Sequence, residues 1–141
     1  MDPAAFQDLA ESLAKVDDPA SLRTAVSRSY YSVFHTASDL LSGMGFAISR
    51  GSSGHGDVRK RLSQAKIPRV EQIGQEMSDL HGFRIAADYR LDSTTLSKKS
   101  TVTALVYNAR EMINDLVAHC KGNDRQRIIN AVKDYEESIS S

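Results

Sequence analysis

Arg28 and His35 share the stretch SRSYYSVFHTASDLL, Ser27 to Leu41, with Tyr31 between them and no glycine or proline to interrupt a helix. A guanidinium grips a phosphate through paired N–H donors, and an imidazole changes protonation state near neutral pH. With the Tyr31 hydroxyl beside them, the set can bind a phosphate, position a hydroxyl and move a proton, which a Lys/Glu surface does not do. At about 100° per residue, Arg28, Ser32, His35 and Asp39 fall within about 40° of one another, with Tyr31 adjoining. Val26, Tyr30, Val33, Phe34, Ala37 and Leu41 gather on the opposite side and read as the core stripe. The polar ridge fits an ordinary solvated face equally well by geometry alone.

A second candidate segment, LHGFRIAADYRLD, spans Leu80 to Asp92. Arg84 and Asp88 stand at i and i+4, the spacing of an intrahelical ion pair. Tyr89 projects toward the core or a helix interface. Between the two segments lies a local excess of cations: Arg50, Arg59, Lys60, Arg61, Lys66 and Arg69 against Asp57 alone, six minus one, or +5. With the glycine-serine loop ahead of it, this stretch reads either as a phosphate-backbone receptor at a helix start or as a solvated basic helix. Arg50, His55, Arg59 and Lys60 are its candidate ligand contacts. GSSGHG lacks the Gly-Lys-Ser/Thr ending of a phosphate loop. His35, His55, His81 and His119 share no metal-ligand spacing, so no metal and no cofactor are expected.

The elements that position these residues are punctuated plainly. Asp2-Pro3 and Asp18-Pro19 each put a capping carboxylate before a proline at the first helical position. They predict helices over Pro3–Lys15 and Pro19–Ser42, the second stopped by Gly43-Met44-Gly45. Residues Gly45 to Gly56 read as a loop, Asp57 to Gln64 as a short helix, and Pro68 to Arg90 as a longer one weakened at Gly74 and Gly82. Ser93, Thr94 and Thr95 offer caps for a helix through Cys120, and Asn123-Asp124 for a last one from Arg125 to Ile139. No stretch alternates long enough to be a strand. The expectation is a single domain over 1–141, an all-α antiparallel up-and-down bundle of five or six helices.

Composition narrows the function classes. Lys+Arg and Asp+Glu both number 18, so the net charge is zero and any electrostatic attraction must be local. No apolar run is long enough to span a membrane, the amino terminus lacks the order of a signal peptide, and the lone Cys120 fits a reducing, cytoplasmic setting.

Together, SRSYYSVFHTASDLL, GSSGHGDVRKRL and FRIAADYRLD resemble the HEPN domains, within them the small stand-alone group with a tyrosine-pair helix and an ADY segment. The resemblance covers about Arg23 to Leu116. It implies a helical bundle, commonly dimeric, that binds RNA or nucleotides. Many members are metal-independent ribonucleases of toxin-antitoxin or other defence systems; others are catalytically silent partners of small nucleotidyltransferases. Ribonuclease members carry an arginine, four to six residues and a histidine, and Arg28-SYYSVF-His35 fits with six between. The family's pair often lies on a later helix with a polar residue after the arginine, and here it sits on the second. On this resemblance His35 is the general base or acid, Arg28 the phosphate clamp and Tyr31 a hydrogen-bonding contact. A homodimer would bring a second histidine, and a helical interaction protein paired with a nucleotidyltransferase is the alternative.

Overall fold

Asp18 starts the longest helix as its place before Pro19 requires: in the computed structural model, which describes residues 1–140, its carboxylate accepts a hydrogen bond from Ser21 N at 3.1 Å. Six helices follow in order, α1 (Ala4–Leu13), α2 (Pro19–Gly43), α3 (Gly54–Ser63), α4 (Pro68–Tyr89), α5 (Lys99–Cys120) and α6 (Arg125–Ser140). Among the described residues there is no strand, and the fold is an all-α helical bundle. No helix is long and apolar enough to cross a membrane.

Three boundaries and one helix interior differ from the sequence expectation. The first helix ends at Leu13, because the chain tightens into a turn in which Lys15 N and Val16 N reach only three residues back. The GSSGHG loop is shorter than predicted: α3 begins at Gly54, so His55 lies in a helical first turn. Gly74 and Gly82 do not break α4, and a Cβ at Gly74 would stand 3.2 Å from Leu62 Cβ, which shows how closely α3 crosses it. The caps expected at Ser93, Thr94 and Thr95 are not made by side chains; a short 3-10 turn (Thr95–Ser97) precedes α5 instead.

α2 is the axis of the bundle, packed against α1, α3, α4 and α5. Its Leu22, Val26, Val33 and Leu41 join Val58 and Leu62 of α3, Ile73 and Met77 of α4, Val102 and Leu116 of α5, and Ile128 of α6 in one buried core. Being central, α2 also buries small polar residues: Ser27, Ser29, Ser32 and Thr36. Of the polar ridge read from the sequence, His35 and Asp39 are exposed, Arg28 is half-buried and Ser32 is buried. Ser32 is fully buried and donates to the Pro3 carbonyl at 2.9 Å, because α1 lies over that side of α2.

Arg23, also on α2 and only 8% exposed, holds the end of α4 in place. Its guanidinium donates to the carbonyls of Ala86 (3.3 Å), Ala87 (3.0 Å), Arg90 (3.2 Å) and Leu91 (3.4 Å), to that of Ser93, and to Ser97 Oγ (3.3 Å). The last carbonyls of a helix lack intrahelical partners, and a buried cation without a carboxylate needs oxygens; each need answers the other.

At the far end of α2, Gly45 takes φ +98°, the left-handed conformation that lets Phe46 N reach back to Leu41 O at 3.1 Å and turns Phe46 into the core. The chain then meets α3 at Gly54, where an added Cβ would lie 2.5 Å from Ser49 O and 3.2 Å from Phe34 Cζ. Gly54→Ala is therefore expected to destabilise the fold by about 1–3 kcal/mol, because the backbone of the incoming loop must yield. Urea unfolding checks this, with an unchanged midpoint as the contrary result.

Candidate functional site

The tyrosine pair of α2 points in two directions, and each ring organises its own group. Tyr31 is half-buried and carries Arg28 on one side, with its guanidinium carbon 5.1 Å from the ring centroid, and Arg84 of α4 on another at 5.3 Å. Arg28 in turn lies 5.3 Å from the centroid of Phe6 on α1, and Phe6 stacks at 6.0 Å with the exposed His35 ring. Cations and rings thus alternate from Arg84 through Tyr31, Arg28 and Phe6 to His35. Such contacts are worth about 0.5–2 kcal/mol each, depending on desolvation.

The outer group is poor in negative charge. Arg84 Nε stands 3.0 Å from Asp88 Oδ2, although without the alignment of a hydrogen bond. Arg28 Nη2 donates to Ser27 Oγ at 3.4 Å, and Ser27 Oγ donates to Asp88 at 3.4 Å. Among the half-buried arginines, Arg61, Arg69, Arg84 and Arg110 all have a carboxylate within ion-pair distance. Among the described residues Arg28 has none, and its Nε is buried without a hydrogen-bond partner. A depression of about 210 Å³ opens next to His35, lined by Met1, Pro3, Phe6, His35 and Asp39.

Tyr30 organises the inner group. Its ring is in the core as the helical period predicts, but its hydroxyl lies 2.8 Å from His55 Nδ1. His55 stacks on His81 of α4 with centroids 3.9 Å apart and planes 20° from parallel. Burial, with the neighbouring Tyr31 second, raises the Tyr30 phenol well above its ordinary range, so the phenol keeps its proton and shares one hydrogen bond with Nδ1, as donor or acceptor according to the histidine tautomer. Burial, then His81, then Arg59 push the His55 imidazole down to about 4, and burial followed by Arg84 lowers His81. Both rings are neutral at pH 7. The Tyr30 and Tyr31 rings meet edge to face at 5.3 Å and join the two groups.

Of the residues singled out in the sequence, the fold brings Arg28, Tyr31, His35, Arg84 and Asp88 to one place and adds His55 through Tyr30. Arg59 is exposed but close enough to disfavour His55 protonation. No hydrogen bond or ion pair joins Arg50 or Lys60 to the cluster. The basic stretch is divided rather than continuous: Arg61 pairs with Glu136 at 2.9 Å, and Arg69 with Asp115 at 2.8 Å and Glu76 at 3.0 Å. Tyr89, for which the sequence leaves the core or a helix interface open, is 73% exposed at the end of α4 and so lies outside the core. Phe6, Ser27, Tyr30 and His81 are site residues that the sequence reading did not select. A His-Gly pair at 81–82 or an aromatic at Phe6 carries no signal without knowing that α1, α3 and α4 all fold onto α2.

The histidine pair predicts a pH effect on stability. An unfolded imidazole takes up a proton near 6.5, whereas folded His55 does so only near 4, so the unfolded chain binds more protons between these values. The contribution is complete above pH 6.5 and is withdrawn as pH falls toward 4. With allowance for partial exposure, the melting temperature should drop by about 3–6 °C between pH 7 and pH 5. The drop should shrink in His81→Gln, and calorimetry that finds equal pH sensitivity in the two proteins would remove the pair as its source.

Comparison of the chain with known proteins finds no matching family, no matching curated protein and no matching solved structure.

Proposed function

We propose that the protein is a HEPN-like RNA-binding domain that cleaves RNA at the Arg28–His35 face, as a homodimer. Arg28 supports this most directly: a half-buried guanidinium held between two aromatic rings, without a carboxylate, beside an exposed imidazole. Desolvating a cation with no counterion is unfavourable unless an anion completes the site. A phosphodiester does so, and Tyr31 and Phe6 supply faces on which a base can stack.

In the reaction, the RNA 2′-oxygen forms a bond to its own phosphorus and the bond to the 5′-oxygen breaks. His35 takes the 2′-proton or gives a proton to the departing oxygen, while Arg28 steadies the charge on the phosphorane. The complementary proton transfer falls to the His35 of a second copy across a two-fold axis. The products are a 2′,3′-cyclic phosphate and a 5′-hydroxyl.

The test is incubation of purified protein with mixed RNA in excess chelator, mapping of the new ends, and sedimentation to determine the assembly state. Cyclic-phosphate ends and a dimer are expected. If wild-type protein neither cuts RNA nor binds it more tightly than an Arg28→Ala/His35→Ala double variant, the ridge serves a protein partner such as a nucleotidyltransferase and the ribonuclease reading falls.

A further inference from the structure

His55 and His81 play no part in the cleavage just described, yet two neutral imidazoles in face-to-face contact are an unusual use of a half-buried position. The groups that face them come from three helices. From α2 comes Tyr30, whose hydroxyl bonds His55 Nδ1, with Tyr31 behind it. From α3 comes Arg59, and from α4 Arg84; both disfavour a charged imidazole. Of the acids near them in the chain, Asp57 accepts from Ser49 N at 2.9 Å and lies 3.9 Å from Arg61, Asp79 accepts from Gln75 Nε2 at 3.0 Å, and Asp88 is paired with Arg84. Arg59 stands four residues beyond His55 on α3 and Arg84 three beyond His81 on α4, so each cation shares its histidine's helix face, and among the described residues no carboxylate lies within ion-pair distance of either ring.

The geometry points to a proton-linked oxyanion subsite formed by His55, His81, Arg59 and Arg84, in which a phosphate-type anion binds together with the protons that the empty cluster excludes. Burial first, and the like charges beside each ring second, disfavour charging of either imidazole while the cluster is empty. A tetrahedral dianion reverses the balance: it attracts both guanidiniums and both imidazoliums, and each ring then donates a charge-assisted hydrogen bond. The Tyr30 hydroxyl permits the change without rearrangement, because a phenol oxygen accepts from a protonated Nδ1 as readily as its O–H donates to a neutral one. By reciprocity, an anion that raises the proton affinity of the rings is itself bound more tightly as pH falls. The inference rests on the proposed function only in taking the anion to be a phosphate group; the cluster does not include Arg28 or His35.

Inorganic sulfate is the probe of choice, because its charge is constant between pH 5.5 and 7.5 whereas phosphate itself titrates there. Calorimetric titration of the intact protein at low millimolar sulfate, with ionic strength held by chloride, should show at least tenfold tighter binding at pH 5.5 than at 7.5 and proton uptake from the buffer. In NMR titrations the His55 and His81 midpoints should rise by at least one pH unit with saturating sulfate, while His119, bonded to Asp124 on another part of the surface, stays put. His55→Gln/His81→Gln should abolish the pH dependence; if that variant does not fold, the NMR midpoints of the wild-type protein decide. A short RNA displaced by sulfate at pH 5.5 assigns the subsite to backbone phosphate, and sulfate binding without displacement assigns it to a free anion. Equal sulfate affinity at the two pH values, or binding that leaves both histidine midpoints unmoved, overturns the subsite. RNA cleavage that depends on His35 would survive that result, so the two readings fail separately.

Discussion

His35→Ala is expected to lower RNA cleavage by about 10²–10⁴-fold, the usual cost of removing a positioned acid or base. The folded state should barely notice, because His35 is exposed and meets only the Phe6, Tyr31 and Phe34 rings. Arg28→Ala should cut turnover by about 10²–10³-fold and weaken RNA binding as well, since it removes a ground-state phosphate contact together with charge stabilisation in the transition state. Arg28→Lys separates these effects: the charge remains, but the planar fork and its stacking on Tyr31 and Phe6 are lost, so binding should recover more than turnover does. Single-turnover cleavage and equilibrium binding, measured on each variant after its melting temperature has been checked, supply the comparison. Equal losses in binding and turnover for the lysine variant would mean that Arg28 is only a docking charge.

Arg23→Met is expected to cost about 3–5 kcal/mol of stability, the largest loss for any single surface-distant site described above, and to lower the melting temperature by about 10–15 °C. Methionine fills much of the volume but answers none of the carbonyls of Ala86, Ala87, Arg90, Leu91 and Ser93. Ala86 O and Arg90 O keep their bonds from Arg90 N and Ser93 N, but the carbonyls of Ala87, Leu91 and Ser93 lose the guanidinium and either go without it or drag the end of α4 outward to find water. In the second case Asp88 and Tyr89 move with it, so Arg84 loses its partner and RNA binding weakens even in the folded fraction. Urea unfolding gives the stability change; a shift within about 1 kcal/mol would show that water replaces the guanidinium at little cost.

The helices were legible because their ends are written locally: Asp18-Pro19, Gly43 to Gly45 and Pro68 each act on their own few residues. The centrality of α2 was not. Ser27, Ser29, Ser32 and Thr36 count as polar in any periodicity, yet a small hydroxyl is buried readily when it finds an oxygen, as Ser32 finds Pro3 and Ser27 finds Asp88, and at Ser29 it is buried even without a partner among the described residues. Arg28, Tyr31 and His35 were visible as one face because a helix alone aligns them. Their neighbours were invisible for the opposite reason: Phe6 comes from α1, His55 from α3 and His81 from α4, and only the packing of three helices on a fourth decides who meets whom. Arg23 looks in the sequence like one more surface cation, and its partners lie 63 to 74 positions along the chain.

The depression beside His35 has a practical side for anyone handling the protein. Met1 and Pro3 form part of its wall, and Met1 is 86% exposed. An affinity tag or fluorescent fusion joined to the amino end would emerge at the mouth of the proposed active face and obstruct a long nucleic acid there, whereas a small environment-sensitive dye at the same place would sense its arrival. Carboxy-terminal tagging, from the exposed end of α6, avoids the obstruction, and the contrast between the two fusions locates the substrate path before any residue is changed.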